Sequence, residues 1–144
     1  MPSLYFDEYQ IGQTITTGGR TVTQTDVVNF ACLSGDFNPI HVNVEHAKKS
    51  PFGAPIAHGL LGLSIVSGLA HEMGFIRDSV VAFTGLSWKF KKPVLFGDTI
   101  KSRFTVRQTR GLGAQGIVVF DVKLLNQRDE TVGEGEWSLM IKKK

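Results

Sequence analysis

Asp36 and His41 are joined by Phe37-Asn38-Pro39-Ile40. Asn favours turns closed by its own side chain, and Pro fixes one dihedral, so this is a short and stiff connection. A carboxylate and an imidazole that converge on one water can serve as base and acid in proton transfer. Keeping both beside apolar chain is costly without a use for them. The plainer reading is that Asp36 caps a turn and His41 is a satisfied polar residue. Further on, His58-Gly59 stands at the head of an apolar run. Glycine there lets a ligand oxygen approach the amide, and the positive helix end stabilises developing negative charge. Alternatively, Gly59 relieves crowding between helix and sheet, and His58 is a loop residue bonded to backbone. Acid/base groups beside an anion-stabilising amide suit chemistry on a carbonyl compound.

Other chemistries fit less well. His46 and His71 have no partners at metal-ligand spacing and no Cys/His cluster exists, so no metal site is expected. Gly111-Leu112-Gly113-Ala114-Gln115-Gly116 matches the dinucleotide-binding glycine pattern literally. A strand-like Ile117-Val118-Val119-Phe120 follows it where that motif needs a helix, so it reads as a hairpin loop. No serine sits in a nucleophile-elbow pattern. Lys89, Lys91 and Lys92 read as a solvated strand face, with contact to phosphates as the alternative.

The elements that must position these residues are legible from periodicity. Residues 1–13 read as an irregular lead-in, and Thr14 to Thr23 as a short extended element or hairpin turning at Gly18-Gly19. A helix is expected from Gln24 to Leu33, with Thr23 as N-cap, Gly35 as stop, and Val27, Phe30, Ala31 and Leu33 as its apolar stripe. Residues 35–58 hold Pro39, Pro51 and Pro55 and read as mostly non-regular, with one helical turn near Glu45 to Lys49. A segment this irregular inside a compact domain is usually functional. From Gly59 to Met73 the chain is apolar on nearly every side, which predicts a helix buried all round. Gly62, Ser64, Ser67 and Gly68 would let a sheet press against one flank.

From about 79 to 141 the pattern has period two. Leu86, Trp88 and Phe90 form one apolar row, Ile100, Phe104 and Val106 the next, then Val118, Phe120, Val122 and Leu124, and last Trp137, Leu139 and Ile141. Four antiparallel strands in a meander are expected, each with one buried face. Turns fall at Gly97-Asp98, Gly111 to Gly116 and Gln127 to Asp129. A curved antiparallel sheet wrapped around one long central helix, an α+β fold, is the economical arrangement.

The chain of 144 residues suits a single domain, 1–144, with 42% hydrophobic and 20% charged residues. Its net charge of +3 is matched by Lys142, Lys143 and Lys144, read as a loose solvated tail. Without them the balance is zero, so nucleic acid is not an expected partner. The single Cys32 excludes an intrachain disulfide, fits a reducing compartment, and lies in an apolar run as a packed thiol. No signal peptide or membrane-spanning stretch is evident, and a cytoplasmic location is expected.

With these residues in view, the chain resembles a known family. Phe30-Ala31-Cys32-Leu33-Ser34-Gly35-Asp36-Phe37-Asn38-Pro39-Ile40-His41, followed by Ala47, resembles the hydratase motif of MaoC-like, (R)-specific enoyl-CoA hydratases. Pro55-Ile56-Ala57-His58-Gly59-Leu60-Leu61 resembles the start of their central helix, and Lys92-Pro93-Val94-Leu95-Phe96-Gly97-Asp98-Thr99-Ile100 a strand pair common among them. The resemblance implies the hot-dog fold and syn addition of water to a trans-2-enoyl-CoA, without a cofactor beyond the CoA of the substrate. It implies that Asp36 takes a proton from water, that His41 orients the water and helps deliver a proton to the α-carbon, and that the Gly59 amide polarises the thioester. Asn38 would hold the loop, with Asn38, His58 and Ser67 as substrate-binding positions. A homodimer, or an oligomer built from dimers, is implied. Two other readings compete: an acyl-CoA thioesterase, disfavoured because Leu60 to Leu69 carries no acid, and a non-catalytic acyl-CoA binder, disfavoured by the intact Asp36/His41 pair.

Overall fold

The computed structural model describes residues 1–144. In chain order its elements are a 3-10 turn Phe6–Glu8, β1 Thr14–Thr16, β2 Arg20–Thr21, α1 Gln24–Ser34, α2 Pro39–Val42, α3 Val44–Lys48, α4 Gly59–Met73, β3 Val80–Phe90, β4 Thr99–Leu112, β5 Gln115–Leu125 and β6 Thr131–Lys142. The antiparallel sheet runs β1-β4-β5-β6-β3, with β2 attached to β4. It curves around α4, which gives the expected hot-dog arrangement.

Local chemistry explains the boundaries. Thr23 accepts a hydrogen bond from the Asp26 amide while the Asp26 carboxylate accepts from the Thr23 amide, a reciprocal cap that starts α1. Gly35 ends that helix at φ 79°, a left-handed conformation that glycine adopts without strain. In the sheet, the alternate side chains Val118, Phe120, Val122 and Leu124 of β5 are at most 3% exposed. They meet Phe104 and Val106 of β4, Trp137 and Leu139 of β6, and Val66 and Ala70 of α4 in one core. Each such large side chain contributes roughly 1.5–3 kcal/mol on burial.

Several expectations need correction. The strands are not a meander throughout. Only β4-β5-β6 follows chain order, and β3 pairs with β6 at the far edge. Glycines make that pairing possible: a Cβ at Gly133 would meet the Trp88 ring at 2.8 Å, and one at Gly135 would strike the Ser87 backbone. β3 also lacks a buried face, since Val81, Phe83, Leu86 and Phe90 are all exposed. Nor is α4 buried all round. The sheet covers Leu61, Ile65, Val66, Leu69 and Ala70, while Leu60, Ser64 and Gly68 stay exposed. Of the glycines on that helix, Gly62 faces Leu124 of the sheet and Gly59 faces Phe90, whereas Gly68 meets nothing.

Cys32 and Leu33 are exposed on α1 rather than packed, because the buried stripe of that helix runs through Val27 and Ala31. The terminal lysines are tied down: the Lys143 amide donates to the Ala114 carbonyl, and Lys144 Nζ lies 2.7 Å from Glu8 Oε1. Residues 39–42 form α2, an unexpected helical turn started by the Asn38 side chain and Pro39. No helix is long and apolar enough to cross a membrane.

Candidate active site

The loop that follows α1 is built from side chains folded back on their own backbone. Ser34 Oγ donates to the Phe30 carbonyl and accepts from the Asp36 amide. Asp36 Oδ1 accepts from the Asn38 amide at 3.2 Å, and Asn38 Oδ1 accepts from the Ile40 amide at 3.1 Å. These consecutive polar turns explain why Ser, Asp and Asn occupy this stretch. They leave the second oxygen of Asp36 free of protein partners, on an exposed side chain.

His41 lies on α2. Its Nδ1 is 2.7 Å from the Ile56 carbonyl, while the Ile56 amide donates to the Ile40 carbonyl. A carbonyl only accepts, so Nδ1 carries the proton and Nε2 presents a lone pair. The segment before α4 is pinned in turn by Ala57 N–H to Val94 O and by the Ile56–Leu95 bridge. Tertiary contact between distant segments therefore fixes the imidazole.

His58 is only 3% exposed. Its Nε2 lies 2.9 Å from the backbone carbonyl of Asp36, so Nε2 is the protonated nitrogen and Nδ1 is bare. Nδ1 is enclosed without a partner, which costs about 1–3 kcal/mol. The ring stacks on His41 with centroids 3.8 Å apart and planes inclined by 27°, and Phe30 contacts it at 4.9 Å.

Polar atoms of Asp36, His41 and His58 thus lie within 4.8 Å of one another. The group is poorly shaped for a metal. Stacked imidazoles keep their lone pairs in near-parallel planes, here with ring centroids 3.8 Å apart, whereas a bound ion needs them to converge at about 2.1 Å. It suits a water better. Two acceptors bridged by the hydrogens of one water stand about 4.5 Å apart, from two bonds of about 2.8 Å at the water angle.

His58 is also the N-cap residue of α4, yet its side chain makes no capping bond. The Gly59 and Leu60 amides have no acceptor in the protein, which leaves a donor pair at the positive helix end. A cavity of about 440 Å³ adjoins them, walled by Trp88, Phe90, Val94 and Leu124, with Lys91 and Lys92 at its edge. A Cβ at Gly59 would meet the Phe90 ring at 2.7 Å, so only glycine brings the amide this close to that wall. Lys91 and Lys92 pair with Glu134 and Glu130 at 3.4 and 3.1 Å. Ser67 lies half-buried two turns along α4, its carbonyl accepting from His71 Nδ1.

Sequence reasoning placed Asp36 and His41 together, but the convergence of His58 on both was not legible in it. The one available signal was a histidine, rather than Ser, Thr or Asp, at a helix N-cap.

Among proteins of known identity, the chain is 34% identical over 137 residues to an (R)-specific enoyl-CoA hydratase of Rhodospirillum rubrum, covering 95% of this chain and 91% of that protein. It is 38% identical over 104 residues to Protein MaoC of Klebsiella aerogenes, covering 72% of this chain; the aligned region spans 31% of that longer protein. An Archaeoglobus structure described as a monoamine oxidase regulatory protein superposes with a TM-score of 0.90 at 39% identity, over 100% of this chain and 97% of the other. Residues 7–127 match the MaoC like domain, and with this sustained similarity the chain belongs to the MaoC-like family.

Proposed function

We propose that the protein is a hydro-lyase that reversibly hydrates a trans-2-enoyl-CoA to the (R)-3-hydroxyacyl-CoA. The observation that carries this reading is the gathering of polar atoms of Asp36, His41 and His58 within 4.8 Å of one another, with the His41 ring held through Nδ1 on the Ile56 carbonyl so that its Nε2 is left as an acceptor. The free amides at the head of α4 directly follow His58, whose ring donates to the Asp36 carbonyl. The water donates one hydrogen to each acceptor, which points its oxygen lone pair at C3. Asp36 takes a proton as the C3–O bond forms, and the π electrons move through C2 onto the thioester oxygen. The Gly59 N–H receives that charge. A proton returned to C2 from the same side completes syn addition, so both hydrogens of the water end in the product. His41, protonated on Nδ1, holds the water through Nε2 and assists the return. A relative that matches over most of the chain is named an (R)-specific enoyl-CoA hydratase, which supports the reading.

The working unit in this proposal is a homodimer. β3 is an 11-residue edge strand whose Val81, Phe83, Leu86 and Phe90 are exposed beside the bare stripe of α4. Long apolar edges are aggregation-prone unless paired, and a second copy of the same strand closes both at once. The partner would then roof the stripe from Leu60 to Ser67, with Ser67 beside the acyl chain and Asn38 holding the loop at its mouth. No cofactor beyond the CoA of the substrate is needed, and a reducing, cytoplasmic setting agrees with the free Cys32.

The test is loss of enoyl-thioester absorbance with crotonyl-CoA and with a longer enoyl-CoA, wild type beside Asp36→Asn. Turnover by wild type alone supports the proposal. No turnover on either substrate by folded protein that still binds acyl-CoA would favour a non-catalytic binder.

A further inference from the structure

We propose that His58 is a positioning residue that aligns Asp36 and His41, a role that rests on the hydratase reading above. Two different contacts reach the pair from one buried ring. The Nε2–H donates to the main-chain carbonyl of Asp36 itself, at 2.9 Å. That bond anchors the loop at the residue whose carboxylate must face the water, and no other side chain donates to that carbonyl. The ring face lies 3.8 Å from the His41 ring, which limits rotation of the second acceptor about its own axis. Phe30 contacts the same ring, so the histidine is wedged between α1 and α2.

The bare Nδ1 shows that the position is not optimised for stability alone. A buried acceptor without a donor is unfavourable, and Ser, Thr or Asp at this N-cap would bond the first-turn amides instead. Histidine forgoes that bond. The same residue therefore leaves the Leu60 amide uncapped beside that of Gly59 and turns its own donor toward Asp36.

The experiment compares His58→Gln with His58→Phe. Gln keeps an N–H donor in place of Nε2 and loses the aromatic face, whereas Phe keeps the face and loses the donor. Each is measured for kcat, KM and thermal midpoint. Amide resonances of Asp36, Phe37 and Asn38 are followed by NMR, which reads the loop without needing turnover. In His58→Phe we expect kcat to fall on the order of 10²-fold with KM within about twofold, because a misplaced catalytic group costs that much. We expect its 36–38 amides to shift, and Gln to recover most of the rate and the wild-type amide positions. Phe at wild-type kcat with unmoved 36–38 amides would overturn the proposal, as would equal losses in Gln and Phe, which mark mere space filling. Should wild type turn over no enoyl thioester, the hydratase reading fails by itself; amides that move in Phe and stay in Gln would still uphold the anchoring of Asp36, and amides that move in neither or equally in both would overturn it.

Discussion

In β5, Val118, Phe120, Val122 and Leu124 are nearly inaccessible, and the strand is laddered to β4 on one side and β6 on the other. Between Gly35 and His58, by contrast, only Ala47, Ala57 and His58 are buried. That segment is held by directed bonds: Ser34 to Asp36, Asp36 to Asn38, Asn38 to Ile40, His41 to Ile56 and His58 to Asp36. Non-directional burial accumulates area and tolerates small displacements, whereas a hydrogen bond fixes a distance and an angle. One region therefore supplies stability and the other supplies geometry.

The sharpest division between them comes from Asp36→Asn. Its side chain is exposed, so the urea midpoint should stay near wild type while kcat falls on the order of 10² to 10⁴, the usual worth of a general base. A variant that unfolds instead would erase the distinction. Phe120→Ala should do the reverse. Truncating this fully buried ring should cost about 3–5 kcal/mol in urea denaturation, with kcat per folded molecule preserved.

β3 belongs to neither class, being strand-like in backbone and bare in side chain. Leu86→Lys should weaken the proposed dimer on the order of tenfold or more, since two like charges would meet across the axis. Sedimentation at a series of concentrations reads this, and an unchanged mass would remove β3 from the interface. Gly35→Ala tests the hinge between the regions. At φ 79° an alanine is strained, so about 1 kcal/mol of stability should be lost in urea denaturation. The smallest effect concerns pH at the α1 cap. Partial burial pushes the Asp26 carboxyl up, but the Thr23 amide and hydroxyl and the Arg20 guanidinium outweigh it and hold it below the ordinary 3.8. The cap's contribution is thus present above about pH 4 and is lost as pH falls through the lowered value. Thr23→Ala should flatten that acid limb in a pH series of thermal midpoints.

Periodicity in the chain was enough to locate α1, α4 and the strands, because apolar spacing depends only on backbone geometry and the need to bury one face. Asp36 and His41 could be read together because Asn38-Pro39 shortens the path between them. Pairing order was another matter. Whether β3 joins β4 or β6 depends on long-range fit, here Trp88 and Ser87 against Gly133 and Gly135.

The sequence alone determined which stretches are helical or extended, and that a carboxylate and an imidazole share one stiff turn, since these are local consequences of residue type. Tertiary structure decided which apolar faces remain uncovered, Leu60 on α4 and Phe83 on β3 among them, because exposure depends on what else packs there. It also decided that His58 stacks on His41 and donates to Asp36. No local rule brings residue 58 to residue 36. The curvature of the sheet around α4 and the pinning of Ile56 and Ala57 on Leu95 and Val94 do so.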